Sequence, residues 1–366
     1  MTKRAIGTLG VIAVFVTLPL FSADPPLELK SKTFTYQTNG GSLATVLDEL
    51  AKQTGAVVGR TKAETDRVLR LECKNVPFWE ALERIAKESD HRIVFSDSGR
   101  RVQLAGGGDI TYRETPVSFD RVFRISARRV QCTTDLEMER SYTEVTLGLN
   151  WEPGFAVFLV EQPGRNVAAR DNAGQDLRVD DPGQGRIPVG GAGIDLPLRL
   201  VDVPRSAKTI ALIEGRFSIV GATKMHEFTF EKPVAAKDAK DARTETKEGV
   251  TVRLRTDFSE KADLWSARIE LEYPEGGPQI ESFEASAWMI DNDAWMTTAD
   301  GKRKLECNGG YELVAQSERK AVVVYRFIDE ADRKLGKPED WVFHIRTPAK
   351  LISTDVKFKL ENIPLP

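Results

Sequence analysis

Cysteine and histidine are scarce in this chain. Its 366 residues hold three of each: Cys73, Cys132 and Cys307, and His91, His226 and His344. An odd, scattered trio of thiols is no disulfide framework, and without a Cys-x-x-Cys pair it speaks against structural zinc and thioredoxin-like redox chemistry. Cys73 ends the alternating stretch 68–73, which predicts a buried free thiol. The histidines fall in three separate expected domains, so a catalytic triad would have to form across them. There is no Gly-x-Ser-x-Gly elbow, and His226-Glu227 has no second histidine four positions on. His226 and His344 lie on expected strands, where half-exposed structural roles are expected. No catalytic residue, metal ligand or cofactor site is assigned.

An excess of one charge is lacking too. Lys and Arg number 52 against 55 Asp and Glu, a formal net charge of −3. That balance gives no reason to expect a nucleic-acid partner. Glycine and proline are dispersed without a low-complexity tract, so packed domains are expected.

The N-terminus stands apart. Lys3 and Arg4 precede an uncharged run over 5–23, apolar across Val11-Ile12-Ala13-Val14-Phe15-Val16 and leaving through Ser22-Ala23. This pattern reads as a secretory signal over 1–23. Its length also suits an uncleaved anchor, the only membrane contact expected. The chain is therefore expected in the periplasm or cell envelope, with anchoring by residues 5–23 as the alternative to cleavage.

Beyond it, a helix–strand unit is present twice. Val46-Leu47-Asp48-Glu49-Leu50-Ala51-Lys52 returns thirty-five positions later as Ala81-Leu82-Glu83-Arg84-Ile85-Ala86-Lys87. Leu43, Val46, Leu47, Leu50 and Ala51 share one helical face, as do Phe78, Ala81, Leu82, Ile85 and Ala86. Ser42 and 75–77 supply helix starts, and Gly55 a left-handed stop. Strands fit 33–36, 56–59, 67–73, 92–95 and 101–104. Two helices covering one small shared sheet make an α+β domain of βαββαβ type over 32–108.

From 110 the helical period vanishes. Short strand-like runs, the first of them 119–130, are punctuated by turn residues and predict a mainly antiparallel β-sandwich over 110–232. A glycine-rich long loop is expected at 181–193. The charged stretch 233–248 reads as a linker, and alternation resumes in a second β-sandwich over 249–366. Its strands include 281–289.

The first unit resembles the short N-terminal module of bacterial secretins and TonB-dependent receptors. The matching residues are Ser42-Leu43 to Thr54-Gly55, the strand 68–73, and Lys74-Asn75-Val76-Pro77-Phe78-Trp79-Glu80-Ala81-Leu82. The resemblance covers about a fifth of the chain and implies a periplasmic module that contacts protein partners. The chain beyond residue 108 resembles neither a secretin β-domain nor a receptor barrel, so pore and transport functions do not carry over. The whole chain, through its ending Val356-Lys357-Phe358 to Ile363-Pro364-Leu365-Pro366, is similar to exported proteins of planctomycete-type bacteria.

Asp171-Asn172-Ala173-Gly174-Gln175-Asp176 has the look of a calcium loop, but the spacing of an EF-hand is missing and a hairpin turn needs these residues anyway. Asp291-Asn292-Asp293 is read in the same way. Four of six tryptophans fall in the last domain. Trp265 and Trp341 sit in alternating strands as core filling, which leaves Trp288 and Trp295 as candidate ligand-binding aromatics. The leading expectation is a non-enzymatic interaction or scaffold module with an envelope protein partner. Carbohydrate binding through Trp288 and Trp295 is an alternative. So is an extracellular hydrolase whose carboxylates the sequence does not single out.

Overall fold

The computed structural model describes residues 29–61, 68–96, 101–107, 110–137, 139–181, 183, 185–189, 191–233, 242–258, 263–274, 293–317, 319–328 and 335–366. The run over 5–23 and the expected strand 281–289 lie outside them. Among the described residues no helix is long and apolar enough to cross a membrane.

The first unit runs β1 (Thr33–Ser42), α1 (Leu43–Thr54), β2 (Gly59–Arg60), β3 (Val68–Pro77), α2 (Phe78–Ser89), β4 (Arg92–Ser96) and β5 (Arg101–Ala105). Ser42 Oγ accepts the Thr45 N–H at 3.1 Å and starts α1. Gly55, at φ 71°, turns the chain out of it. Pro77 offers α2 no side-chain cap, so the Phe78 N–H is satisfied by the Lys32 carbonyl, 2.8 Å away. Both helices bury the faces their spacing foretold, against Phe34, Leu69, Leu71, Val102 and Leu104.

The strands do not form the one shared sheet expected. β1 pairs antiparallel with β3, while β2, β5 and β4 make a second sheet in which β2 runs parallel to β5. α2 packs on both β3 and β4 and so joins the two sheets.

Next come β6 (Val117–Asp120), β7 (Phe123–Asp135), β8 (Arg140–Trp151), β9 (Ala156–Glu161), β10 (Val167–Asp171), β11 (Asp176–Val179), β12 (Arg186–Pro188), β13 (Gly193–Val201) and β14 (Thr209–Ala222). The expected single strand 119–130 is in fact a hairpin. Arg121 adopts φ 53°, and its guanidinium is held by the Asp120 carboxylate, which fixes the turn. The expected loop 181–193 contains β12, paired with β9. Inward residues such as Val145, Leu147 and Leu149 of β8 and Leu196, Leu198 and Leu200 of β13 build one core.

The remaining strands are β15 (Met225–Glu231), β16 (Arg243–Lys247), β17 (Val250–Asp257), β18 (Leu264–Glu272), β19 (Asp293–Thr298), β20 (Lys304–Glu306), β21 (Tyr311–Ser317), β22 (Lys320–Ile328), β23 (Trp341–Pro348) and β24 (Ile352–Pro364). Sheets ordered β15-β23-β19-β20 and β16-β17-β18-β22-β21 enclose a second core. Trp265 and Trp341 meet edge to face inside it, as core filling, with centroids 6.4 Å apart.

Three expected boundaries are crossed by the pairing. β15, from the 110–232 stretch, pairs with β23 of the second body. β24, from the 249–366 stretch, pairs with β14 from Thr209↔Pro364 to Gly221↔Ile352, because Val356, Phe358, Leu360 and Ile363 complete the first core. The second half of the expected linker is strand β16, paired with β17.

Two seams are closed by side chains instead of backbone ladders. Along β15, the Thr229 N–H donates to Glu245, while Lys247 and Arg243 donate to the carbonyls of Glu227 and Glu231. Along β24, the Lys357 and Lys359 N–H groups donate to Asp120 Oδ2 and Ser118 Oγ of β6. Lacing of this kind satisfies an edge that would otherwise be open to another strand.

Candidate functional site

The outward face of β15-β23-β19-β20 carries polar and aromatic side chains in register. Glu227, Arg346 and Asp293 form one row, and Thr229, His344 and Trp295 the next. Arg346 forms an ion pair with Asp293. His344 stands between Glu227 Oε1, 3.2 Å from its Nδ1, and Thr297 Oγ1, 2.9 Å from its Nε2.

The first row also walls a cleft of about 610 Å³ at the junction of the two β bodies. Opposite it lie the β8–β9 turn over 152–155 and residues Gly191 and Ala192. That volume is typical of small-ligand sites. The cleft's third carboxylate, Glu152, accepts hydrogen bonds from Ser31 Oγ and the Lys32 N–H. Burial pushes its carboxyl above the ordinary carboxylate range.

The Thr297–His344–Glu227 chain has the order of a nucleophile, base and orienting acid. Acyl transfer also needs donors aimed at a developing oxyanion. Around Thr297 the backbone is committed to ladders with β20 and β23. This chain of bonds therefore orients the His344 ring. Glu227 and Asp293, set on either side of Arg346, are each engaged, Glu227 by a hydrogen bond to His344 and Asp293 by its ion pair with Arg346. Neither is a lone acid awaiting a substrate.

Of the two candidate aromatics, Trp288 lies outside the described residues. Trp295 is half-buried on β19, flanked by the His344 ring at 5.1 Å and by Lys304 Nζ at 5.1 Å from its centroid. A sugar would have to displace a neighbour before stacking there.

The histidine expectations change in two respects. His226 and His344 share one sheet instead of lying in separate domains. His226 is also only 5 % exposed, not half-exposed. Its Nε2 lies 3.7 Å from Glu248 Oε2, and burial lowers its pKa despite that carboxylate. Cys73 is a buried free thiol whose pKa burial raises. Asp171 closes the β10–β11 hairpin: its Oδ1 accepts the N–H groups of Ala173 and Gln175, both at 2.8 Å, and Gly174 takes φ 79°. Asp291 and Asn292 lie outside the described residues.

The Glu227–His344–Thr297 chain and the Asp293–Arg346 pair were not foreseen from the sequence. Alternation puts each residue on the outer face of its strand, but only the register between strands brings them together. No protein-family model, curated protein or solved structure matches this chain.

Proposed function

We propose that this chain is a non-enzymatic interaction or scaffold protein, exported to the periplasm or cell envelope, that holds protein partners in fixed relative positions. The supporting observation is how the first unit is joined to the β body. Trp79 Nε1 donates to the Val122 carbonyl at 3.0 Å, Arg124 bonds Glu83 Oε1 at 2.7 Å, and Glu152 takes hydrogen bonds from Ser31 and Lys32. A module resembling a partner-contacting periplasmic domain is thus a fixed part of a larger body, and not a bead on a linker. Its α1 keeps Thr45, Asp48 and Lys52 exposed for a partner.

The test uses the full-length chain, crosslinked in envelope extracts beside a variant with Asp48→Lys and Lys52→Glu. A reproducible partner that the variant loses supports the reading, and recovery of none counts against it. N-terminal sequencing of the mature protein tests export: a chain starting after residue 23 supports cleavage, and one starting at Met1 opposes it.

Carbohydrate binding through Trp288 and Trp295 draws less support, because the one described ring is already flanked by His344 and Lys304.

A further inference from the structure

Asparagine followed by glycine is found twice in the chain, both times within the same tripeptide: Asn39-Gly40-Gly41 and Asn308-Gly309-Gly310. Such a pair carries a reaction of its own, because glycine has no side chain to keep its nitrogen away from the asparagine amide carbon. The two copies share that local chemistry and differ in what the fold does to them.

Both asparagines are exposed. Asn308 is nonetheless held at both ends of its amide. Its Nδ2 donates to the Ile328 carbonyl at 3.0 Å, and its Oδ1 accepts the Ile328 N–H at 2.8 Å. The Gly309 N–H donates to the Arg326 carbonyl at 2.9 Å, which ties down the attacking nitrogen as well. Asn39 sits instead at a bulge of β1. Thr38 pairs with Leu71 and Gly41 with Leu69, so Asn39 and Gly40 together lie opposite Arg70. The Gly40 N–H points at the Thr38 hydroxyl oxygen, 3.2 Å away. That oxygen can pass the proton on to water.

We infer that Asn39 is a site of spontaneous deamidation, where the chain converts itself to aspartate and isoaspartate while Asn308 is spared. The Gly40 nitrogen attacks Asn39 Cγ. The N–Cγ bond forms, the Cγ–Nδ2 bond breaks, and Nδ2 leaves as ammonia with the proton that Gly40 gives up. A five-membered succinimide results. Water then opens it at Cγ to give aspartate, or at the Asn39 main-chain carbonyl to give isoaspartate. No oxidant or enzyme is needed. The product places a carboxylate opposite Arg70. The isoaspartyl form also adds a methylene to the main chain just ahead of Ser42, whose hydroxyl starts α1. This holds whatever α1 binds.

Peptide mapping by mass spectrometry tests it on the full-length chain, incubated folded and in urea at mildly alkaline pH. In the folded chain Asn39 should convert at least about tenfold faster than Asn308, which reacts only after local opening. In urea the two rates should come together, since the tripeptides are the same. Isoaspartate should accompany aspartate at position 39. A Cβ on Gly40 meets only Val68 Cγ1, 4.0 Å away, so Gly40→Ala fits the fold. Its methyl obstructs the attack, and the variant should slow conversion of Asn39 severalfold without changing Asn308.

Equal or reversed rates at the two sites of the folded chain overturn the inference. So does an Asn39 that converts only in urea, which would mean that the strand keeps the Gly40 nitrogen out of reach. Aspartate without isoaspartate would mean direct hydrolysis of the amide, and would remove the cyclic step.

Discussion

Trp79 reaches out of the helical unit's core to donate its indole N–H to the backbone carbonyl of Val122, 3.0 Å away in the β6–β7 turn. The same carbonyl accepts the Glu152 N–H at 3.0 Å. One acceptor therefore binds the first unit, the β6–β7 turn and the β8–β9 turn together. Trp79→Phe keeps the ring's edge contacts with Phe78 and loses only that bond and some volume. The expected cost is about 1–2 kcal/mol. Urea unfolding should show the loss, and faster exchange of amides near Val122 should accompany it.

Arg124 and Glu83 form the second tie, with the guanidinium nearly buried and also bonded to Ser126 Oγ. Removing one partner strands the other in a poorly solvated place. Glu83→Leu alone should therefore cost about 3 kcal/mol. Glu83→Leu with Arg124→Met should cost clearly less than the two single changes summed, because the pair's own desolvation disappears with it. A double-mutant cycle in urea measures the difference, and simple additivity would mean that the pair carries no coupling.

Glu152 gives a prediction in pH. Burial raises its carboxyl's pKa, against the pull of the Ser31 and Lys32 donors. The folded chain then holds the proton more tightly than the unfolded chain. That contribution to stability is complete below the unfolded value and lost as pH rises through the folded one. Glu152→Gln should therefore melt higher than the wild type at pH 7, with the gap closing as pH falls to about 4. Thermal midpoints across pH check this, and parallel curves would sink it.

The face-to-face pair of His344 and Trp295, with planes 1° apart, separates packing from ligand binding. Trp295→Ala should cost about 1 kcal/mol from the lost stacking. It should leave glycan-array signals at their wild-type level, because the ring's neighbours are the protein's own. Loss of a specific glycan signal in the variant would restore the carbohydrate reading.

How far the sequence reaches is plain from particular elements. The faces of α1 and α2, the Ser42 start and the Gly55 stop come from spacing and local chemistry within one helix. The alternation of Val250, Val252 and Leu254 likewise marks β17. What escaped depends on neighbours far along the chain. A period of two tells which side chain faces inward, but not which strand lies alongside. So β24 looked like the last strand of the second body, and His226 and His344 looked unrelated. The hairpin at Arg121 was hidden for another reason: a positive φ at arginine is uncommon, and nothing local to 119–123 announces it.

The placement of β24 has a consequence for the order of events during synthesis. Phe217 of β14 packs against Phe358 of β24, with ring centroids 5.8 Å apart. The first body thus cannot close until β24, which follows every strand of the second body in the chain, has left the ribosome. Domains ordinarily fold in turn from the N-terminus. Here the first body must wait for the second, its β14 edge exposed to chaperones and proteases for the whole interval. Translation stopped before Ile352 should leave a chain that proteases digest through β14, whatever the second body has achieved by then.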